Sequence, residues 1–596
     1  MCGIAGIYAY RPESPPVNRD ELLRIRERMV SRGPDGAGLW ISPDNRVGLA
    51  HRRLAIIDLS ESGAQPMLDP ESGNQIVFNG EIYNHRDLRV DLEAAGYRFH
   101  SHSDTEVLLK LYAAHGQDML HKLRGMYAFA IWDARTQSLF MARDPLGIKP
   151  LYYYADDGKT LRFASQVKAL LKGGAIDTAP EPAGHVGFFI WGSVPEPYTL
   201  YKHIRALPAG HRMRAGQSGA GAPACFDSVS KRLAIASQNP VHVSDQEALA
   251  HIAEATRRSI HAHLLADVPV GVFLSSGLDS AMLAATVAQA GEVSTITLGF
   301  DEYQDTLNDE APLAEQLARQ LAASHSTVRI TAADFHADRA HLLDAMDQPS
   351  IDGVNTWFVA KAAASKGVKV ALSGLGGDEL FASYPSFEQV PRMHQRLAGF
   401  ARLPGLGKAF RIVSAPFLRR FTSPKYAGLL EYGGSLGGAY LLRRGLYMPW
   451  ELPEIMDPDM ARDGWHELNA LSALAGITEG IENSRLAVSA LEMTCYMRNQ
   501  LLRDADWAGM AHSLEICVPL VDIELIAKTA SIFAAAPHLQ KRQVAETVAS
   551  QLQAEFFQRR KTGFFIPVRD WQANKTFPNS RGLRGWGHFV HATFFI

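Results

Sequence analysis

From its amino terminus to about residue 215 the chain sets its apolar positions in short runs, as in "NQIVFNG" at 74–80, "MYAFAIWD" at 126–133 and "SLFMARDPLGIKPLYYY" at 138–154. Turn-forming residues bound these runs, and few stretches between them have a helical period, so the pattern predicts stacked antiparallel sheets. Small and polar residues then take over in "RAGQSGAGAPA" at 214–224 and "SQNPVHVSD" at 237–245, a composition that predicts a connecting segment. Beyond it the strand-like runs "VPVGVFL", "VSTITLGF" and "VKVALS" alternate with helical patterns such as "AMLAATVAQA" and "APLAEQLARQLAA". Such alternation predicts a doubly wound parallel sheet with helices on its faces. From about residue 386 the periodicity is mostly helical. The expected organisation is a first domain over 2–215, a linker over 216–245 and a second domain over 246–596.

Bulk properties agree with two domains and narrow the function classes. A chain of 596 residues is too long for one hydrophobic core. A formal net charge of -3 argues against bulk attraction to nucleic acid, and no run of about 18 apolar residues predicts a transmembrane segment. Cysteines at 2, 225, 495 and 517 show no paired spacing, so neither a zinc site nor a disulfide framework is expected. With no secretory pattern at the amino terminus, the expectation is a cytoplasmic protein acting on small molecules.

Two predicted strand ends carry candidate chemistry. In a parallel sheet ligands lie beyond the carboxyl ends of the strands, where loops lead into helix N-termini. "LSSGLDS" at 274–280 and "LSGLGGDEL" at 372–380 each follow a buried run with small residues and an aspartate near the helix start, Asp279 and Asp378. A lone loop of this kind usually only caps a helix, whereas two of them suit a phosphate cradle with a bridging magnesium ion.

"SSGLDS" resembles the SGGLDS pyrophosphate loop of N-type ATP pyrophosphatases, with Ser276 where glycine is usual. That resemblance implies ATP held by Leu274, Ser275, Ser276, Gly277, Leu278, Asp279, Ser280, Leu298, Ser373 and Gly374, and Mg2+ by Asp279 and Asp378. At the other end, "MCGI" places Cys2 as the first residue once the initiator methionine is removed, where its α-amine can take the thiol proton. It is followed by "SRGPDGAG" at 31–38, "HRRLAIID" at 51–58, "FNGEIYNH" at 78–85, "SDTEVLL" at 103–109 and "RDPLGIKPLYY" at 143–153. In that order these motifs resemble a class II glutamine amidotransferase domain, an N-terminal-nucleophile hydrolase. The resemblance implies Cys2 as nucleophile, Asn79 and Gly80 as oxyanion hole, Arg53 on the glutamine carboxylate, and Glu81 and Asp104 on its α-amino end.

Both halves together, with "LLRDADWAGMAHSLEICVPLVDIEL" at 501–525 and "RRKTGFFIPVRDW" at 559–571, resemble the glutamine-hydrolysing asparagine synthetase family. The implied fold class is α/β and α+β, a four-layer sandwich followed by a doubly wound parallel-sheet ATP pyrophosphatase domain with a helical C-terminal part. The implied reaction takes L-glutamine, ATP and L-aspartate through an acyl-adenylate to AMP, diphosphate and L-asparagine. Ammonia would cross inside the protein, and Lys561 would neutralise phosphate charge. The loop departs from the family at Leu375, where well-studied members carry a glutamate that helps form or consume the adenylate. An amidotransferase for another carboxylic acid, such as a sugar acid in surface polysaccharide assembly, therefore stays open, as do a non-catalytic regulator and a homodimer. The segment 389–430 holds eight Lys or Arg and no acid, the composition of a solvated helix face or of a surface for an anionic partner or membrane.

Overall fold

The computed structural model describes residues 2–155, 158–402, 404–558, 567, 571 and 582–594. The amino-terminal half is built from strands that bury both faces. Strand β1 (Gly3–Ala9) shows why: Ile4 and Tyr8 point into the core between two sheets, while Ala5 and Ile7 point to an outer core beneath helix α1 (Arg19–Glu27). The side chain of Asn18 starts that helix by accepting from Asp20 and Glu21, and Leu22 and Ile25 seat it on the sheet. Strand β2 (Val47–Arg53) pairs antiparallel with β1, and strand β3 (Gln75–Ile82) belongs to the second sheet. That sheet is covered by helices α2 (His85–Ala94) and α3 (Asp104–His115). Along strand β4 (Gly125–Asp133) the same alternation recurs, with Ala128, Ala130 and Trp132 facing the first sheet and Tyr127, Phe129 and Ile131 facing α3. Helix α4 (Val167–Gly173) packs beside α1 on the outside of the first sheet. The layers run helix, six-stranded antiparallel sheet, seven-stranded antiparallel sheet, helix.

The stretch 216–245 holds more structure than a bare connection. Gly219–Ala220 and Ala224–Cys225 both pair with strand His211–Gly216 at the edge of the second sheet. Helix Val229–Gln238 then packs among the helices of the carboxyl-terminal half.

In that half the three runs read as buried strands, β5 (Val270–Phe273), β6 (Ser294–Phe300) and β8 (Val370–Leu372), join β7 (Ser324–Ile330) and β9 (Glu515–Cys517), which the sequence pattern did not single out, in a five-stranded, all-parallel sheet. The spatial order is β7-β6-β5-β8-β9. Strand order therefore reverses between β5 and β8, and that is where a crevice opens at the carboxyl ends of the strands. Helices α5 (Leu278–Ala290) and α6 (Gly377–Leu380) leave the sheet on either side of it. From Ser386 to Val548 the described residues are mostly helical, including α7 (Pro404–Phe421), α8 (Arg503–Ala511) and α9 (Lys541–Val548). One hydrophobic core runs across the junction of the halves, joining Leu54, Ile56 and Ile148 to Leu514 and Ile516.

Candidate active sites

Cys2, immediately before β1, lines a small cavity of about 30 Å³, whose walls include Arg53, Gly80, Glu81 and Asp104. Five of the residues assigned to glutamine chemistry thus meet in one place. The sixth, Asn79, is fully buried on β3, and its Oδ1 accepts from the Cys2 backbone nitrogen at 3.0 Å. Its Nδ2 has no hydrogen-bond partner among the described residues. A buried donor left open costs free energy unless it serves a ligand, so the amide is set up to receive an oxygen. Gly80 follows it where β3 lies against β4: a Cβ there would stand 2.7 Å from the Tyr127 Cα, so no larger residue fits.

Charge in this cavity is arranged around a substrate with both signs. Arg53 Nη1 donates to the Ser60 carbonyl at 2.8 Å and Nη2 to that of Asp58, which fixes the guanidinium at the rim. Burial pushes the Cys2 thiol up from its ordinary value. Burial, with Glu515 adding to it, raises the Glu81 carboxyl to about 8, and Glu81 Oε1 has no hydrogen-bond partner among the described residues. Asp104 opens α3, and its Oδ2 accepts from the Ile82 nitrogen at 3.0 Å.

The second cavity, of about 270 Å³, lies at the reversal of strand order. Its walls include Leu274, Ser275, Gly277, Asp279, Ser280, Leu298, Ser373 and Gly374, eight of the ten residues assigned to ATP. Ser276 and Leu278 are not among its lining residues. Ser276 Oγ instead donates to Glu310 Oε1 at 3.0 Å, and Ser276 is not among the residues of positive φ, so the backbone does not demand the usual glycine. Ser280 closes the loop on itself, its Oγ accepting from the Ser275 nitrogen at 3.1 Å. The second loop turns at Gly376, with φ +88, and comes so close to the first that a Cβ on Gly377 would strike the Asp279 carboxylate.

That approach brings the two acids together on a shared cation. Lys541 Nζ, at the start of α9, donates to Asp378 Oδ1 at 2.7 Å and also to Asp279 Oδ2. Burial alone would lower the lysine, but Asp279 and Asp378 outweigh it and hold Lys541 above its ordinary value. Two carboxylates on separate loops are the oxygen donors that a hard divalent cation takes. Among the described residues no cluster of three or more metal-binding side chains forms. Glu379 lines the same cavity beside them; burial, then Asp378, raises its carboxyl to about 7, and Tyr384 Oη donates to its Oε1 at 3.0 Å. Leu375 completes the wall.

Strand β9 borders the second cavity on one face. Ile516 lines the second, while Glu515 turns to the other face and pairs with Lys149 at 2.5 Å, both side chains buried. Sequence patterns did not single out Lys541, which sits in an ordinary amphipathic helix, nor Glu515 and Lys149, each inside a quoted motif without a role of its own. Lys561 lies outside the described residues.

A sandwich with a cysteine at its first strand, joined to a parallel sheet whose two acid-bearing loops meet, defines the class as a two-site amidotransferase architecture. Comparison with known proteins narrows it. Residues 1–223 match a family described as a glutamine amidotransferase domain, and residues 251–581 one described as asparagine synthase. The chain is 30% identical to asparagine synthetase [glutamine-hydrolyzing] 1 of Bacillus subtilis (strain 168), over 96% of its own length and 88% of the relative's. With asparagine synthetase [glutamine-hydrolyzing] 3 of the same organism it shares 28% identity, over 88% and 80%. It is also 30% identical to amidase chry2 of Gibberella zeae, over 65% of this chain and 60% of that protein. The chain belongs to the asparagine synthase family.

Proposed function

We propose that this protein is a glutamine-hydrolysing, ATP-dependent amidotransferase that converts a carboxylic acid into its amide, with L-aspartate to L-asparagine as the leading reading. The observation that carries it is the meeting of Asp279 and Asp378 on Lys541 at the reversal of strand order, in a chain that also carries Cys2 beside the open Asn79 amide. Residues 2–215 would hydrolyse glutamine and residues 246–596 would activate the acceptor, with 216–245 joining them. Both substrates are at hand in the cytoplasm.

In the first cavity the Cys2 thiolate, its proton passed to the free α-amine, attacks the glutamine carboxamide carbon. Asn79 Nδ2 and the Gly80 region receive the developing oxyanion, Arg53 holds the α-carboxylate, and Glu81 with Asp104 takes the α-ammonium. Ammonia leaves, and water releases glutamate from the thioester. In the second cavity the Ser275–Ser280 loop and Ser373-Gly374 cradle the ATP phosphates. Mg2+, held by Asp279 and Asp378, would neutralise phosphate charge. Lys541 sets the spacing of the two carboxylates, and Lys561 is assigned to the phosphates by resemblance to the family. Attack of the acceptor carboxylate on the α-phosphorus releases diphosphate, and ammonia arriving past β9 displaces AMP.

A second reading, an acceptor other than aspartate, is favoured by Leu375, which places an aliphatic side chain in the cavity wall. AMP release measured across a panel of carboxylic acids with glutamine present separates the readings: aspartate as the preferred acid supports the first, and a bulkier or less charged acid the second. ADP and phosphate as products would overturn both.

A further inference from the structure

Helix α7 turns an apolar stripe to solvent. Leu406, Phe410, Val413, Phe417 and Phe421 recur at spacings of four and three residues, which places them on one side of the helix. All are exposed, Val413 and Phe417 at 70% and Phe421 at 82%. The other side is what seats the helix. A Cβ on Gly407 would lie 2.7 Å from the Glu431 Cα, and Arg411 Nε donates to Glu431 Oε2 at 2.5 Å. The stripe is therefore a face left uncovered once packing is complete, and Ile412, 59% exposed, lies off it on another side of the helix. Isolated exposed apolar residues are ordinary on a protein surface, whereas a contiguous stripe of large ones marks a binding face.

Charge identifies the occupant. Eight Lys or Arg and no acid fall within 389–430, in a chain whose formal net charge is -3. Glu388 pairs with Arg392 and Glu431 with Arg411, but Lys408 and Arg420 on α7 and Arg396 on the preceding helix stand exposed. A second copy of the same face would bring like charges together. A surface of anionic headgroups over acyl chains complements both features.

We infer that α7 is an interfacial helix that seats the enzyme reversibly on anionic membrane, with Phe410, Val413, Phe417 and Phe421 among the acyl chains and Arg420, beside the stripe, at the lipid phosphates. Among the described residues no helix is long and apolar enough to cross a membrane, so the attachment is peripheral. It rests on a few charges and one helix face, which makes it weak and sensitive to salt. The inference is independent of which acid is amidated.

The test is flotation of the full-length enzyme with vesicles of phosphatidylcholine alone or of equal parts phosphatidylcholine and phosphatidylglycerol. Binding to the anionic vesicles at low salt should exceed binding to neutral ones by about tenfold or more and should fall as salt rises. The pair Phe417→Ser with Phe421→Ser, and separately Arg420→Glu, should each lower it by about tenfold, while ammonia release from glutamine stays unchanged and reports intact folding. Absence of flotation at low salt overturns the inference, as does equal binding to neutral vesicles. A dimer in solution that Phe417→Ser dissociates would also overturn it, by assigning the stripe to a second copy.

Discussion

Arg32 and Asp506 form a bidentate ion pair at 2.6 and 2.9 Å, and the same guanidinium donates through Nε to the Cys2 carbonyl at 3.2 Å. Arg32 is fully buried, which would by itself lower its pKa, but Asp506 reverses the shift and holds it up. One side chain therefore ties the backbone of the candidate nucleophile to α8 in the other half of the molecule. Lys149 and Glu515 make a second buried link across the same junction.

Breaking the first link should act on stability and on coupling together. Asp506→Ala leaves a buried guanidinium unpaired, at a cost of about 3–5 kcal/mol, and should lower the midpoint of thermal unfolding. Arg32→Met with Asp506→Leu removes both charges and should recover most of that loss. Neither variant should keep glutamate and amide production in the wild-type ratio. An unchanged midpoint in the single variant would show that the pair carries no structural load.

The two cavities should separate by mutation. Cys2→Ala removes the thiol from the first cavity and should abolish glutamine-dependent synthesis, while synthesis from added ammonium salts stays within about twofold, since ΔΔG‡ in the second cavity is unaffected. Loss of both activities in a folded variant would count against two separate sites.

Conversely, Asp279→Asn and Lys541→Met should each reduce ATP-dependent AMP formation by about a hundredfold or more and spare glutamine hydrolysis. The lysine variant leaves Asp279 and Asp378 without the ammonium that competes for them, so half-maximal AMP formation should come at a lower magnesium concentration than in the wild type. Wild-type AMP formation in Lys541→Met would reduce that contact to a resting arrangement.

The difference between Asp279 and Lys541 explains what the sequence could reveal. Asp279 sits in a loop whose small residues are dictated by close approach of backbone to ligand, and that demand leaves a local mark. Lys541 reaches the site from a helix 262 residues away in the chain, and nothing local distinguishes it from a solvated lysine. The same holds for fold. Alternation along β4 and the buried runs at β5, β6 and β8 were legible because burial on both faces dictates residue type. The strands at Gly219–Ala220 and Ala224–Cys225 were not, because two-residue edge pairings impose no period. Arg32 lies in a recognisable motif, yet its partner Asp506 is fixed only by how the halves pack.

Glu379 gives stability a defined pH dependence. Its folded carboxyl is raised from 4.5 to about 7, so below pH 4.5 both folded and unfolded forms are protonated and no penalty arises. Between 4.5 and 7 the unfolded chain releases a proton that the folded one keeps, and stability falls as pH rises, by up to about 3 kcal/mol. Glu379→Gln keeps an acceptor for Tyr384 but cannot titrate. Wild-type and variant midpoints should therefore diverge across that window, the variant becoming the more stable. Parallel curves would place the Glu379 pKa near its ordinary value.

The remaining prediction concerns Leu375, one residue before the turn at Gly376 and four before Glu379, in the wall of the second cavity. A leucine there accepts no proton and attracts no ammonium group, so the wall favours apolar parts of an acceptor over a second charge. Glu379 lines the same cavity next to Asp378, and burial raises its carboxyl to about 7, which suits it to take a proton from an attacking ammonium. On the proposed reading, activation chemistry is retained while the preference for aspartate is weakened. Leu375→Glu should raise turnover with aspartate by about tenfold, which corresponds to about 1.4 kcal/mol of transition-state stabilisation, and should lower it with less charged acids. Steady-state AMP release with each acid measures both changes. If the unmodified enzyme already turns over aspartate at about 1 per second or faster and the substitution brings no gain, Leu375 does not set acceptor choice and asparagine synthesis is the activity.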